Sequence, residues 1–293
     1  MRTNMLSSFA DAGDIARGLS RTKLLVSYDL FLNDTARRFA DVVLPGTAWL
    51  EELGCKMTHT HLYLMERALP PAGETRPLSA IIQQLDARLG LEVFYPWASE
   101  ESMIDAILDH PCTRHATVDA LRAEGGIRAL DISHVANPTL KFETPSGKIE
   151  FYSAQAKYLG LPALPGYELA AATADRSPQA FPLLLAHGRT MTHFHSFYDS
   201  GRSLPTLAKR DAGPVLLISP VDAGARGLED GAAIRVFNQR GEMMAQARVT
   251  ERMPPGTVWM RDGWTGLNNL TSGEAVLPDA AVDLFAFTAG QAR

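Results

Sequence analysis

The last third of the chain alternates short apolar runs with turn residues, and this pattern limits the possible folds more than any other feature. Apolar strands are predicted over five short segments, namely 183–186, 215–219, 232–237, 242–249 and 257–260. Glycine, proline and asparagine mark turns between them, at Gly231, 238–241 and 254–256. Many short strands at close spacing indicate a compact β barrel.

The first of these strands leads into a segment rich in hydrogen-bond donors. The apolar run ends at Gly188, where a glycine permits a tight turn and the close approach of a ligand. The donors that follow suit a phosphate, a ribose or a polar heterocycle, and they are Arg189, Thr190, His193, His195 and Ser196. A strand that feeds such a loop is a common construction of binding sites.

The first half of the chain contains the pattern of a strand, a helix and a second strand. Residues 24–29 and 41–46 read as strands, and Asn33 or Asp34 can cap the short helix between them. This predicts a βαβ unit of an open α/β sheet, in which ligands lie beyond the carboxyl ends of the strands. Asp29, Asn33 and Thr35 are then either binding residues or ordinary loop and capping residues.

Other segments of this half carry less chemistry. Helices are predicted at 11–20, 74–89 and 103–108. Glu51 and Glu52 read as solvated charges, and the His59-Thr60-His61 segment reads as surface or loop histidines rather than a metal site. Prolines punctuate a connector at 137–180, with two strand-like pieces, 139–143 and 149–152, around a turn. The predicted division is therefore 1–136, the connector, and a second domain at 181–293.

Composition excludes several classes of protein. The 293 residues carry a net charge of -5, 46% hydrophobic residues and 21% charged residues, which indicates a folded chain of one or two domains. The mild acidity argues against a nucleic-acid partner, and no apolar run is long enough to span a membrane. Cys55 and Cys112 cannot build an iron-sulfur cluster or a zinc ribbon alone, and they fit a reducing, cytoplasmic compartment.

Two groups of motifs together resemble the C-terminal half of the molybdopterin-guanine-dinucleotide oxidoreductases, the dimethyl sulfoxide reductase superfamily that includes formate dehydrogenases and nitrate reductases. The first group comprises 29–36, 40–45, Glu51-Glu52-x-Gly54 and 71–77. The second comprises His187-Gly188-Arg189, 193–196, 219–223, 227–231, Arg240-Gly241, Pro255-Gly256 and Asn268-x-Leu270-Thr271. The resemblance implies an α/β open-sheet domain portion followed by a mostly-β double-psi β-barrel domain.

The resemblance also implies roles for individual residues. The loop from Gly188 to Ser196 would wrap a pterin and its diphosphate, Asn268 would reach the pterin, and Asp29 would contact a guanosine. The implied cofactor is molybdopterin guanine dinucleotide with molybdenum or tungsten. Leu78 replaces an aspartate that contacts guanine in some members of the family, and His59 stands where asparagine is common.

The motifs of the family's N-terminal half, with its iron-sulfur cysteines and metal ligand, are absent from this sequence. We therefore expect a fragment, a truncated product or one piece of a split subunit, inactive alone and partnered by an N-terminal half or an electron-transfer subunit. An iron-sulfur cluster is implied only if that half exists. The leading hypothesis is the cofactor-binding half of an oxidoreductase acting by two-electron redox or oxygen-atom transfer. The alternatives are a non-catalytic pterin-nucleotide binding module and a metal hydrolase using His187, His193 and His195.

Overall fold

The computed structural model describes residues 3–91, 94–164, 179–192, 196 and 204–273. In these ranges the helices are α1 (Met5–Ser8), α2 (Ala12–Leu19), α3 (Asp34–Phe39), α4 (Leu78–Leu89), α5 (Glu100–Leu108), α6 (Val118–Ala123), α7 (Ala154–Tyr158), α8 (Pro205–Arg210) and α9 (Pro220–Gly224). The strands are β1 (Val26–Asp29), β2 (Val42–Pro45), β3 (Gly54–Met57), β4 (His61–Met65), β5 (Ile127–Ala129), β6 (Leu184–Gly188), β7 (Val215–Ile218), β8 (Ala233–Phe237), β9 (Glu242–Val249) and β10 (Thr257–Arg261).

The chain divides into two compact units. One comprises Met1–Ser27, Phe31–Val43 and Phe151–Arg293, and the other comprises Tyr28–Leu30 and Leu44–Glu150. The division into 1–136, 137–180 and 181–293 stays a prediction. Within the described ranges, no helix combines the length and the apolar character that crossing a bilayer requires.

All five strands predicted in the last third of the chain form, and they make one mixed sheet in the order β6-β10-β7-β9-β8. Strand β6 pairs in parallel with β10, and β7 pairs in parallel with β9, whereas the other two pairings are antiparallel. The result is a mixed α/β protein with this sheet in its C-terminal part.

Buried and exposed side chains alternate along these strands, and the buried ones form the core on one face of the sheet. Leu185, Val236 and Met260 are fully buried on one face, and their strand neighbours lie on the opposite face. Burial of each such side chain stabilises the fold by about 1.5–3 kcal/mol. The opposite face, which includes Trp259 and Met244, is only partly covered and lines a cleft.

Hydrogen bonds from capping and loop residues hold the N-terminal segments in the same unit as the C-terminal sheet. Helix α2 begins after Asp11, whose carboxylate accepts a hydrogen bond from the Asp14 backbone N–H at 2.9 Å. The Asp11 N–H donates to the Thr271 hydroxyl at 3.1 Å, and the Thr265 hydroxyl donates to the Asp34 carboxylate. Residues from both ends of the sequence are thereby joined in one unit.

The predicted βαβ unit is confirmed. The Val42 N–H donates to the Leu25 carbonyl at 3.3 Å and the Gly46 N–H donates to the Asp29 carbonyl at 3.0 Å. The partners advance together along both strands, which is the pattern of a parallel pair. The connecting helix is α3, and Asn33 caps it.

The second unit is built on an antiparallel sheet with the order β3-β4-β5. Leu62 from β4 packs with Ile104 and Leu108 of α5 and with Leu121 of α6 in its core. Both predicted helices of this unit form with shifted starts. Helix α4 begins only at Leu78, because the residue before a proline is disfavoured in the helical region and Pro77 is that proline.

The prediction of two strands at 139–143 and 149–152 is wrong, although the turn between them is present. The Gly147 N–H donates to the Thr144 carbonyl at 2.9 Å, but no strand is assigned on either side of the turn. An isolated pair of strands is marginal in water, and Leu140 and Phe151 remain exposed rather than covering a hydrophobic face.

The prediction that Glu51 and Glu52 are solvated charges is also wrong. Glu51 is 9% exposed, and its carboxylate accepts hydrogen bonds from the Ala48 N–H at 2.8 Å and the Ala72 N–H at 3.1 Å. The Glu52 carboxylate accepts from the Thr47 hydroxyl. These carboxylates hold loop backbone and a buried hydroxyl in place.

Glu51→Gln is therefore expected to lower the free energy of unfolding by about 1–2 kcal/mol, because an amide retains only one of the two acceptor oxygens. Denaturant unfolding measures this change. The matched control is Glu74→Gln at an exposed carboxylate, which is expected to have almost no effect. Equal effects of the two substitutions would contradict a structural role for Glu51.

Candidate functional site

The predicted binding loop begins where β6 ends against β10. Gly188 pairs with Arg261 in the parallel register, and its carbonyl accepts a hydrogen bond from the Asp262 N–H at 2.9 Å. A Cβ placed on Gly188 would lie 3.4 Å from the Trp259 Nε1 atom. The backbone therefore passes close to an indole ring, as a glycine at the start of a binding loop allows.

The residues directly after Gly188 form a short polar segment. Arg189 and Met191 are exposed, whereas Thr190 and Thr192 are half-buried with 2.9 Å between their hydroxyl oxygens. The Thr192 hydroxyl also donates to the Asp211 Oδ2 atom at 3.3 Å. The two threonines thus turn inward and leave the guanidinium of Arg189 on an exposed position.

A cleft of about 690 Å³ adjoins this segment. Its floor is largely the outer face of the sheet, with Val215, Leu217 and Trp259. Basic side chains line it together with the threonines of the loop, namely Lys209, Arg210, Arg248 and Arg261. Apolar walls with several cations suit a ligand that has both a planar and an anionic part.

Arg261 is the most buried charge of the cleft. It is 3% exposed, its Nε lies 2.9 Å from Asp211 Oδ2, and its guanidinium lies 4.0 Å from the centre of the Trp264 ring. Burial lowers the pKa of Arg261, and the nearby carboxylates of Asp211 and Asp262 act in the opposite direction.

Sequence reasoning missed both members of this pair. The available signal was the charged residue Arg261 directly after Val258 and Met260, which lie in the core on β10. Such a residue, followed by an aspartate, a glycine and a tryptophan, indicates a buried charge that requires a partner. The identity of that partner could not be read from the sequence.

Asn268 lies on a 3-10 helix, Leu267–Leu270, whose two leucines are buried. The Asn269 amide donates to the Glu242 carbonyl at 3.2 Å, so this asparagine supports the backbone. The side-chain amide of Asn268 has no hydrogen-bond partner among the residues that the structure describes, and it is half-buried. Asn268 is therefore the one of the adjacent pair that is available to a ligand.

Two predicted site residues of the first half, Asn33 and Thr35, make hydrogen bonds that stabilise the fold. Asn33 accepts a hydrogen bond from the Ala36 N–H at 3.0 Å and so caps α3. Thr35 is fully buried, where its hydroxyl accepts from the Leu6 N–H at 3.1 Å and donates to the Asn4 Oδ1 atom at 2.9 Å. Their contact with a cofactor stays a prediction.

Asp29 belongs to the other compact unit, at the end of β1. Its carboxylate accepts a hydrogen bond from the Leu30 N–H at 2.7 Å, and it is half-buried. The packing around this strand end is tight, since a Cβ on Gly46 would lie 3.0 Å from the Tyr28 ring. The predicted guanosine contact of Asp29 stays a prediction.

The histidines of the predicted loop, His193 and His195, lie outside the described residues, and Ser196 is described as half-buried. His187 is exposed on β6. In the part of the chain that the structure describes, no group of three or more histidine, cysteine or acidic side chains is placed to hold a metal ion. Cys55 and Cys112 are free thiols, and burial raises the pKa of Cys55.

Comparison with known proteins gives two family matches along the chain. Residues 1–88 match the model described as molybdopterin oxidoreductase, and residues 183–287 match the model described as molydopterin dinucleotide binding domain. The second match includes Gly188, the cleft and Asn268.

Individual relatives agree with these matches. A probable oxidoreductase, YoaE, of Bacillus subtilis is 31% identical over 96% of this chain and 41% of its own length. The F420-dependent formate dehydrogenase subunit alpha of Methanocaldococcus jannaschii is 29% identical over 89% of this chain and 37% of its own length. The chain thus spans about two fifths of the length of these curated relatives.

A solved structure shares the fold. Acetylene hydratase from Pelobacter acetylenicus superposes with a TM-score of 0.78 over 94% of this chain and 40% of that protein, at 23% sequence identity. The backbone of this chain therefore follows the same course as part of that protein.

Proposed function

This chain belongs to the molybdopterin oxidoreductase family, and from that premise we propose that it forms the cofactor-binding part of a molybdenum or tungsten oxidoreductase. The cofactor is molybdopterin guanine dinucleotide. The reaction class is a two-electron redox change or an oxygen-atom transfer on a small substrate.

The observation that carries the proposal is the donor-rich segment after Gly188 beside a cleft with basic walls. Arg189 is exposed on this segment, and Lys209, Arg210 and Arg248 line the neighbouring cleft. A diphosphate requires cations and hydrogen-bond donors at such a position, and arginine can bind it through two parallel hydrogen bonds.

The remaining donors suit the heterocyclic parts of the same cofactor. The Asn268 amide offers both a donor and an acceptor, as the edge of a pterin requires. The apolar floor with Trp259 can pack against a planar ring. The basic walls, the apolar floor and the Asn268 amide therefore support the proposed group in charge, in apolar contact and in hydrogen-bonding capacity.

We further propose that the C-terminal sheet is a double-psi β-barrel. Two parallel pairs, β6 with β10 and β7 with β9, are joined by one antiparallel pairing. Two parallel pairs within one mixed sheet of short strands support that topology. It would place the loop after β6 next to the end of β10, where the candidate site begins.

When bound, the cofactor supplies a metal that changes its oxidation state by two electrons. The protein supplies binding and orientation. Arg189 and Thr190 would hold the diphosphate, Asn268 would fix the pterin edge, and Trp259 would exclude water from one face. These residues would determine where the metal lies relative to the substrate. Asp29, in the other compact unit, is proposed separately as a guanosine contact.

The partners are proposals as well. The curated relatives are more than twice as long as their match to this chain. We propose that an N-terminal half, within the same polypeptide or as a separate chain, supplies the metal ligand and any iron-sulfur cluster. We propose a cytoplasmic location, an electron-transfer subunit as a further partner, and no nucleic-acid partner.

The direct experiment purifies the native gene product and assays metal and released pterin on the same species. Stoichiometric pterin and molybdenum or tungsten, on a longer polypeptide or a tight complex, are expected. A species of this chain's own mass, 31.9 kDa, with neither metal nor pterin would contradict the enzyme proposal. Pterin bound without redox activity would favour the non-catalytic binding module.

Arg189→Ala is expected to weaken binding of the isolated dinucleotide by about 10- to 150-fold, because a hydrogen bond to a charged group contributes roughly 1.5–3 kcal/mol. Calorimetric titration of the purified protein measures the dissociation constant. Arg252→Ala is the matched control, since Arg252 is exposed on a turn of the same unit. Equal dissociation constants for the two variants would exclude Arg189 from the site.

A further inference from the structure

The ion pair of Asp211 with Arg261 connects the floor of the cleft to the candidate loop. Asp211 directly follows α8, and Arg261 is the last residue of β10. Arg261 is 3% exposed, and the side chain of Asp211 is 18% exposed. The pair therefore lies mostly out of water, where the attraction between opposite charges is stronger than on the surface.

One carboxylate oxygen of Asp211 contacts both Arg261 and Thr192. Asp211 Oδ2 lies 2.9 Å from Arg261 Nε and accepts the Thr192 hydroxyl at 3.3 Å. The Thr190 hydroxyl lies 2.9 Å from that of Thr192, so the contact extends along the segment. The buried arginine is thus connected to the loop through a carboxylate and two hydroxyl groups.

The same segment has a second anchor on the other side of Arg189. The Gly188 carbonyl accepts the Asp262 N–H at 2.9 Å, next to Arg261 in the sequence. Arg189 consequently stands between a backbone anchor at Gly188 and a side-chain anchor at Thr192. Only three residues, 189–191, separate the two anchors, so the path of the loop is closely defined.

We propose that Asp211, held in place by Arg261, is a positioning residue that fixes residues 189–192 in the conformation that binds the cofactor. The ligand's identity rests on the proposed function, whereas the fixing of the loop does not. Without the anchor, the binding conformation would be populated for a smaller fraction of the time. The apparent affinity falls by that fraction.

The experiment compares two threonine substitutions that leave the ion pair intact. Thr192→Val removes the hydroxyl that donates to Asp211 while keeping the shape of the side chain. Thr250→Val is the matched control, since its hydroxyl accepts the Arg252 N–H at 3.3 Å on an exposed turn. Thr192→Ser retains the hydroxyl and is expected to restore wild-type behaviour.

Hydrogen exchange of residues 189–192 gives a readout that needs no cofactor. Thr192→Val is expected to raise the exchange rate of these amides about tenfold, because a hydrogen bond to a carboxylate is lost. Binding of the isolated dinucleotide is expected to weaken by a similar factor.

The outcomes separate the two proposals. Unchanged exchange in Thr192→Val, or equal changes in Thr192→Val and Thr250→Val, would overturn the positioning role. Faster exchange with unchanged affinity would overturn it as well, because the fixed conformation would then not matter for binding. Faster exchange in a chain whose wild-type form binds no dinucleotide would support loop positioning and refute the proposed ligand.

Discussion

Arg261→Met is expected to lower the free energy of unfolding by about 3–5 kcal/mol, the loss typical of removing one partner from a buried ion pair. Methionine keeps most of the volume but loses the charge. Asp211 would then lose the guanidinium 2.9 Å away, and Trp264 would lose the cation that lies 4.0 Å from its ring centre.

Denaturant unfolding of the full chain measures this effect. Arg248→Met is the control, since Arg248 lines the same cleft from an exposed position and is expected to change stability by less than about 0.5 kcal/mol. The double variant Arg261→Met with Asp211→Leu is expected to be less destabilised than Arg261→Met alone, because no charge is left without its partner. A near-neutral Arg261→Met would show that the pair contributes little.

Gly241→Ala is expected to reduce cofactor affinity by roughly 30- to 150-fold, from an overpacking cost of about 2–3 kcal/mol. A Cβ on Gly241 would lie 3.0 Å from both the Cβ and the carbonyl oxygen of Asn269. Backbone cannot yield as a flexible side chain can, so the short helix that carries Asn268 has to move.

The hairpin turn at 238–241 is hydrogen-bonded to the helix that carries Asn268, so a change in the turn affects that helix. Asn238 is buried and donates to the Leu270 carbonyl at 2.7 Å, while its own Oδ1 accepts the Gly241 N–H at 3.2 Å. The turn and the Asn268 helix are therefore one connected structure. Calorimetric titration with the dinucleotide is the measurement, and Gly224→Ala is the control, because nothing lies within 4 Å of a Cβ there. Affinity equal to that of the control would exclude Asn268 from the site.

Local patterns predicted most of the secondary structure. Strands β8 and β9 were predicted from short apolar runs between turn residues, and Asn33 was one of two residues predicted to cap the helix after β1. These signals act over a few residues, within the range of one turn or one strand. The donor-rich segment after Gly188 was evident for the same reason, since the strand and the loop are contiguous.

The wrong predictions concern residues whose structure depends on contacts with distant parts of the chain rather than on their neighbours in sequence. Two adjacent glutamates usually read as solvent-exposed, yet Glu51 satisfies two backbone N–H groups from separate loops. The apolar pieces beside residues 144–148 looked like strands, but nothing in the described structure pairs with them as strands do. A strand needs hydrogen-bond partners that its own sequence does not specify.

The sequence by itself determined the succession of strands, the position of the candidate loop and the resemblance to molybdopterin oxidoreductases, because each depends on residue types at short spacing. Only the tertiary structure decided that Arg261 meets Asp211, that Asp211 holds Thr192, and that Asn268 rather than Asn269 keeps an available amide. Arg261 and Asp211 lie 50 positions apart in the chain. Such a contact is set by how strands and loops pack in space, and local propensity carries no information about it.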